Sequence, residues 1–197
     1  ADSDIRSVED LQGKTVSVGE EESGTEKNAE QILAAYGLSE RLVTEVNLDY
    51  TDAVEQLKKK EIDAMFCTAG AYTTVIGELA KQCEIRFIDL DEKGIDKLMK
   101  SYDFYTECEI PENTYVGQTA AYPVVGVKAV LLASDKLSEK KVKEITEILF
   151  ENKAELQYIL PTDISLDESQ ATEGITIPFH DGAAVYYEEH GISMNEE

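Results

Sequence analysis

The sequence predicts an α/β fold in which a mostly parallel sheet carries helices on both faces. Strand-like segments begin near residues 15, 44, 62 and 85, and a helical pattern of apolar residues follows each of them. This alternation is typical of βαβ units, whose right-handed crossovers place helices on both faces of the sheet. The carboxyl ends of the strands then meet at one edge, which is where open α/β sheets bind ligands.

The first βα unit has the features of an anion-binding turn. Residues 15–19 alternate between apolar and polar side chains, and Ser23 and Glu26 have the spacing of a capping box that opens a helix. The apolar stripe of that helix consists of Ala29, Ile32, Leu33 and Tyr36. The first N–H groups of a helix lack internal partners and lie at the positive end of its dipole, so this turn can bind a carboxylate or phosphate. An ordinary capped turn that binds nothing is the alternative, and this stretch alone favours that alternative.

The second and third units repeat the pattern. We expect a strand over 44–50, a helix capped by Thr51 and ended by Lys58–Lys60, and a strand over 62–68. The run 62–68 is almost wholly apolar, as is typical of a strand covered on both faces. Small residues follow it in Ala69-Gly70-Ala71 and form a second turn at the same sheet edge. Two such turns on one edge raise the expectation of a ligand pocket there.

The pattern changes in the middle of the chain. The next helix has an apolar side formed by Val75, Ile76, Leu79 and Ala80. A fourth strand over 85–90 and a short helix over 92–100 complete the alternation. Beyond them we expect an exposed strand over 104–110, a loop over 111–118 and a long apolar strand over 123–133.

The sequence of the C-terminal part predicts several helices. Ser138 is the expected cap of the longest helix, which we expect Pro161 to end. Its apolar stripe is Val142, Ile145, Leu149, Leu156 and Ile159. A short helix over 165–170, a turn over 177–182 and a final helix containing Ala183, Ala184, Tyr186 and Tyr187 follow.

The charge of the chain restricts its partners. With 18 basic and 41 acidic residues the formal net charge is −23, which argues against nucleic acid and against an anionic membrane surface as partners. The chain has three arginines, Arg6, Arg41 and Arg86, so few arginine side chains are available to bind a ligand carboxylate through two hydrogen bonds. No run is long and apolar enough to predict a transmembrane helix, and no signal peptide is recognisable.

The sequence contains no pattern of a catalytic or metal centre. Cys67 lies in an apolar run and is expected to be a buried thiol, and Cys83 and Cys108 could pair, although three cysteines do not suit a disulfide framework. His180 and His190 have no metal-binding spacing, and His180 in its turn is expected to be structural. The acidic groups at 49–52 and 89–92 could hold a cation, but strand-end and N-cap carboxylates are the more common interpretation. We therefore predict no cofactor, no metal and no enzymatic activity.

Four motifs in order resemble one family of receptors. They are DLQGKTVSVG leading into SGTE, then EIDAMFCTAGAYT, IPENTYVGQ and IPFHDGAAVYYEEHG, between Asp10 and Gly191. These motifs resemble the second lobe and the return segment of type II periplasmic binding proteins, and within that group the TAXI family of solute receptors for TRAP transporters. The resemblance covers nearly the whole chain.

The resemblance implies a two-lobed extracytoplasmic receptor, periplasmic or anchored at the cell surface, that closes on a small carboxylate ligand such as glutamate or another amino or organic acid. Its membrane partner would be a TRAP permease. Residues 1–120 would form the second lobe, and residues 121–197 the hinge return strand and C-terminal helices of an incomplete first lobe. The resemblance also implies that the region making one wall of the cleft is missing from this sequence, so weak ligand binding or none, and self-association through the long helix, are expected.

The resemblance also assigns ligand contacts to individual residues. They are Ser23, Gly24 and Thr25 in the first turn, Ala69, Gly70 and Ala71 in the second, and Tyr115 and Gln118 near the hinge. Glu20–Glu22 depart from the family pattern, because three carboxylates beside an anion pocket would repel a bare dicarboxylate. They favour a zwitterionic ligand or point to solvent. An effector-sensing regulatory domain or an enzyme on the same fold is the alternative function.

Overall fold

The computed structural model describes residues 3–159 and 166–194 and has an α/β fold. Its central sheet has the strand order β2-β1-β3 and consists of β1 (Thr15–Ser17), β2 (Thr44–Val46) and β3 (Ala64–Met65). Both neighbours run parallel to β1, and Val16 is in register with Glu45 on one side and Ala64 on the other. The predicted parallel sheet flanked by helices is therefore confirmed.

Seven α-helices are described. They are α1 (Gly24–Ala35), α2 (Tyr50–Lys59), α3 (Thr74–Gln82), α4 (Glu92–Ser101), α5 (Glu139–Glu151), α6 (Lys153–Ile159) and α7 (Asp181–Glu189). Single 3-10 turns lie at Glu9–Leu11 and Glu168–Gln170. A separate two-stranded sheet pairs β4 (Tyr105–Ile110) with β5 (Tyr122–Val127).

The chain forms two compact units. The first contains residues 1–102 and 107–126, and the second contains residues 103–106 and 127–197. The first unit is built on β1, whose residues Val16 and Ser17 are buried together with the following Val18. In the second unit α5 packs on α7 around Phe150, Tyr186 and Tyr187. The assignment of residues 1–120 and 121–197 to two lobes of a receptor stays a prediction.

A hydrogen-bonded contact joins α1 to α4 within the first unit. The Tyr36 hydroxyl donates to Oδ1 of Asp91, the N-cap of α4, over 2.9 Å, and it accepts from the Asp91 N–H over 3.0 Å. The Tyr36 ring lies directly over Gly94, where a Cβ would collide with it. Glycine at this position lets α4 approach the C-terminal end of α1.

The predicted strands over 62–68 and 85–90 need correction. Only Ala64–Met65 forms a ladder in the first of them, and Cys67, expected to be buried, is an exposed residue. The second forms no strand within the described residues. Its Ile85 and Phe87 pack on Ile76, Ala80 and Tyr115, so the apolar alternation serves side-chain packing and not strand pairing.

The second predicted strand also ends early. It stops at Val46, and α2 begins at Tyr50 with Asp49 as its cap, because Oδ1 of Asp49 accepts from the Asp52 N–H over 2.8 Å. Thr51 was expected to be the cap and lies inside the helix. Asp49 and Asp91 are thus N-cap carboxylates, as the common interpretation of the acidic groups expected.

The predicted strand over 123–133 stops at Val127. Val130, Leu131 and Leu132 lie beyond it and are exposed, Leu132 by 73%. An apolar run indicates that a segment can form a strand, but a strand also requires a second strand to pair with its backbone N–H and C=O groups. In the part of the chain that the structure describes, no strand pairs with these residues.

The longest predicted helix is two helices. Asn152 separates α5 from α6, and its amide donates to the carbonyl of Ile148 over 2.7 Å, which competes with continued helix bonding. The buried stripe of α5 is Val142, Thr146 and Phe150, and Ile145, expected to be buried, is 38% exposed. Pro161 and the start of the predicted helix over 165–170 lie outside the described residues.

Candidate functional site

Three loops converge at the carboxyl edge of the parallel sheet. Gly19 follows β1, Asn47 follows β2 and Thr68 follows β3. The Asn47 amide donates to the Gly19 carbonyl over 3.1 Å and to Oε1 of Glu26 over 2.6 Å, so it holds the first loop, the second loop and the first turn of α1 together. Asn47 was not predicted, because its role depends on contacts with distant residues.

The start of α1 is capped as the sequence predicts, with one difference. Oγ of Ser23 accepts from the Glu26 N–H over 3.1 Å, which is half of a capping box. The Glu26 carboxylate accepts from the N–H of Glu22 over 2.7 Å and not from that of Ser23. The Ser23 N–H donates instead to the Glu20 carbonyl, because Glu22 at φ +62 turns the chain one residue earlier.

Two backbone donors at this helix start have no protein acceptor. Among the described residues the N–H groups of Gly24 and Thr25 take part in no hydrogen bond, whereas the Glu26 N–H is used by the cap. Gly24 is exposed and Thr25 is buried. The positive end of α1 therefore offers two free N–H donors, and this is the arrangement that binds anions at helix starts.

Gly19 permits this geometry. Its φ of +97 is a conformation that L residues rarely adopt, and a Cβ at this position would lie 2.8 Å from Cβ of Thr25 and 3.0 Å from Oγ of Ser23. The backbone of the first loop therefore runs directly against the first turn of α1. Any side chain at Gly19 would displace the residues that carry the free donors.

The Tyr50 hydroxyl links α1 to the third loop. It lies 2.8 Å from Oγ1 of Thr25, 3.0 Å from the Thr68 nitrogen and 3.0 Å from the Thr68 carbonyl oxygen. Sequence analysis missed Tyr50 by placing it at a strand end. The Asp49–Asp52 capping spacing was the feature that could have placed Tyr50 at the start of a helix beside the other two loops.

The Cys67 thiol contacts the Tyr50 hydroxyl. Cys67 is exposed as a residue, yet burial of its sulfur raises the pKa of the thiol, and the hydrogen bond with Tyr50 only partly opposes this. Burial likewise raises the pKa of Tyr50. Both groups are therefore neutral at physiological pH. This argues against a thiolate nucleophile at the site.

The second predicted turn is held by Tyr115. The Tyr115 hydroxyl accepts from the Thr73 N–H and donates to the Ala71 carbonyl, both over 2.9 Å, and the ring stacks on Tyr72 at a centroid distance of 5.5 Å. Ala69 is exposed, and Gly70 and Ala71 are half-buried. Because the Tyr115 hydroxyl bonds to two backbone groups, the Thr73 N–H and the Ala71 carbonyl, Tyr115 positions the turn.

Gln118 is engaged in the same way. Its amide nitrogen donates to the carbonyls of Pro111 and Ala120, both over 2.9 Å, and its amide oxygen accepts from the Tyr115 N–H over 3.1 Å. Only 7% of Gln118 is exposed. Gln118 therefore orders the loop that carries Tyr115, and the prediction that it contacts a ligand stays a prediction.

The predicted site residues belong to one connected network in the first unit. Bonds through Tyr50 join Thr25 to Thr68, the chain continues from Thr68 into Ala69-Gly70-Ala71, and Tyr115 fixes Ala71. Glu20–Glu22, which depart from the family pattern, are exposed. The network thus contains donors and acceptors of backbone and hydroxyl type, and its acidic neighbours face water.

The two histidines and the cysteines form no reactive centre. Nδ1 of His180 accepts from the Gly182 N–H and caps α7, while Nε2 lies 3.2 Å from the Leu137 carbonyl. Within the described ranges no group of His, Cys, Asp and Glu is arranged to hold a metal ion. Cys83 and Cys108, which could have paired, form no disulfide in the described structure.

Comparison with known protein families agrees with this picture. Residues 1–191 match the NMT1-like family. The chain belongs to the NMT1-like family. NMT1-like proteins are of the periplasmic-binding-protein type and are in general binding proteins and not enzymes. The fold of this NMT1-like chain is consistent with that type, and none of its described helices has the length and apolar composition needed to cross a membrane.

Proposed function

We propose that this NMT1-like protein is an extracytoplasmic solute receptor of the TAXI group, which captures a small carboxylate ligand by lobe closure and delivers it to a TRAP-type permease. The four ordered sequence motifs support the transporter class. The two free N–H groups at the start of α1 support the ligand class and carry the proposal. The closed state would be favoured by the contacts that the ligand makes only there.

The electrostatics explain why backbone groups would bind the carboxylate. The chain has a net charge of −23 and three arginines, and the hydrogen bonds of the Tyr50 hydroxyl join it to Thr25 and Thr68. Backbone N–H groups at a helix start attract an anion locally without an added cationic side chain. In this account Gly24 and Thr25 bind the carboxylate, while Ala69-Gly70-Ala71 forms the neighbouring wall of the same edge.

Nuclear magnetic resonance of the 15N-labelled chain tests this proposal. Titration with sodium L-glutamate should shift the amide protons of Gly24 and Thr25 downfield in a saturable way, because a carboxylate becomes their acceptor. Sodium chloride at equal ionic strength is the control. Shifts that are absent at both amides, or equal in the chloride control, would contradict the proposal that these two N–H groups bind the carboxylate.

A further inference from the structure

Two isoleucines form an apolar patch on the outer side of α5. The buried residues of this helix are Val142, Thr146 and Phe150, and Phe150 packs on α7. On a different side of the helix, Ile145 is 38% exposed and Ile148 is 53% exposed. Residues three positions apart are neighbours on a helix surface, so these two side chains form one patch. Exposed apolar residues are common on proteins, and the patch alone does not indicate a partner.

The charges of α5 run in the opposite order to those of α2, α3 and α4. Each of those three helices has a lysine in its last turn and a salt bridge from a lysine to an acid three or four residues before it. In α5 the first turn contains Lys140 and Lys141 after Glu139, the last residue is Glu151, and the last turn has no basic residue. A helix dipole favours acids at the start and bases at the end. The order of charges in α5 therefore does not stabilise the helix itself.

Lys141 and Glu151 lie at the two ends of the isoleucine patch. Lys141 is one turn before Ile145, and Glu151 is almost one turn after Ile148. Both charged residues are exposed, and neither forms an ion pair within the described ranges. A second α5 running antiparallel across the patch would place Lys141 of each copy beside Glu151 of the other. A parallel copy would instead place like charges together.

We propose that the patch of Ile145 and Ile148 is an interface between two copies of this chain, in which the two α5 helices run antiparallel and Lys141 of each copy pairs with Glu151 of the other. The family resemblance led us to expect self-association through the long helix, and the charge order adds the face and the direction. The proposal does not depend on the proposed function. A helix of 13 residues is about 20 Å long, so the buried area is expected to be below about 1,200 Å² and the dimer to be weak.

Sedimentation equilibrium of the full chain tests the interface. Concentrations from about 10 μM to about 1 mM cover weak association, and physiological ionic strength limits the repulsion between two chains of net charge −23 to about 8 Å. Ile148→Ser should weaken dimerisation by about tenfold or more, because it removes apolar surface from both copies. Leu132→Ser is the matched control, since Leu132 is 73% exposed and lies outside α5. A wild type that stays monomeric, or equal association of the two variants, would overturn the inference.

Exchange of the two charges tests the direction of the helices. Glu151→Lys makes the net charge less negative, which would strengthen a non-specific association, whereas the antiparallel pairing predicts that it weakens dimerisation by about threefold or more. Lys141→Glu should weaken dimerisation as well. The double variant Lys141→Glu/Glu151→Lys keeps the net charge of wild type and should dimerise as wild type does.

The two exchanged charges should not unfold α5. Both substitutions follow the preference of the helix dipole, and circular dichroism of each variant checks that the helix content is kept. Dimerisation that is unchanged in Glu151→Lys, or that is not restored in the double variant, would overturn the antiparallel pairing of Lys141 with Glu151.

Discussion

Gly19 lies against Thr25 so closely that a Cβ on Gly19 would be 2.8 Å from Cβ of Thr25. The first loop after the sheet and the first turn of α1 are therefore in direct backbone-to-side-chain contact. This contact places the free N–H groups at the sheet edge. It also makes the geometry of the site sensitive to a single methyl group.

Gly19→Ala should destabilise the chain more than Gly13→Ala. Both glycines have positive φ, +97 and +76, but a Cβ at Gly13 meets nothing within 4 Å. Because only the Cβ of Gly19→Ala collides with Thr25, the free energies of unfolding of the two variants should differ by about 1–3 kcal/mol, the usual cost of overpacking. Urea unfolding of the two variants measures it. Equal midpoints would show that the loop moves aside without cost.

Ser23→Ala should lower the free energy of unfolding by about 1 kcal/mol, since the Glu26 N–H loses its capping acceptor. Ser23→Asn is the matched control, because asparagine caps helices as well as serine does. Urea unfolding followed by circular dichroism compares the two. A loss of the same size in both variants would mean that the cap contributes nothing.

Tyr115→Phe should loosen the second turn while the aromatic stack remains. The substitution removes the acceptor of the Thr73 N–H and the donor to the Ala71 carbonyl, and about 1–3 kcal/mol of local stability should be lost. Hydrogen exchange of Thr73 measures it, with Tyr72→Phe as the control. Protection of Thr73 that survives in Tyr115→Phe would contradict the positioning role of Tyr115.

The cap of α4 should respond to pH. Hydrogen bonds from the Gly94 N–H and then from the Tyr36 hydroxyl lower the pKa of Asp91 in the folded chain. The Asp91 charge therefore stabilises the folded chain at a pH above the ordinary carboxyl pKa. This stabilisation is lost as the pH falls through the lower pKa of the folded chain. Asp91→Asn keeps a cap but not the charge. Wild type should therefore have the higher Tm at neutral pH, and the difference should shrink below about pH 3.9.

Thermal unfolding of wild type and Asp91→Asn across this pH range measures that difference. A Tm difference between wild type and Asp91→Asn that stays constant down to the acid range would mean that the Asp91 charge does not stabilise α4.

Local features of the sequence predict the parts of this fold that depend on neighbouring residues. The Ser23–Glu26 spacing places the start of α1, and the glycine at position 37, with φ +76, follows its end as expected. The parallel order of three strands follows from the alternation of strands and helices. These features need no information about distant contacts.

The remaining features depend on contacts that a linear pattern does not contain. The Tyr50 hydroxyl contacts residues 25 and 18 positions away, which no local spacing indicates. The apolar alternation over 85–90 is genuine, but whether it pairs as a strand or packs on Tyr115 depends on the neighbour. For the same reason the sequence does not show that the Gln118 amide is bound by backbone groups, its nitrogen by the carbonyls of Pro111 and Ala120 and its oxygen by the Tyr115 N–H.

The most direct measurement of the central claim compares Gly24→Pro with Gly24→Ala. Proline fits the first helical position, and Ser23 at φ −77 and ψ 159 accepts a following proline, so Gly24→Pro removes one free N–H without disturbing α1. Gly24→Ala keeps the N–H, and its Cβ meets nothing within 4 Å. If backbone donors bind the carboxylate, L-glutamate should bind Gly24→Pro about tenfold or more weakly than Gly24→Ala, as measured by amide shifts elsewhere at the site. Equal affinities in the two variants would contradict the claim.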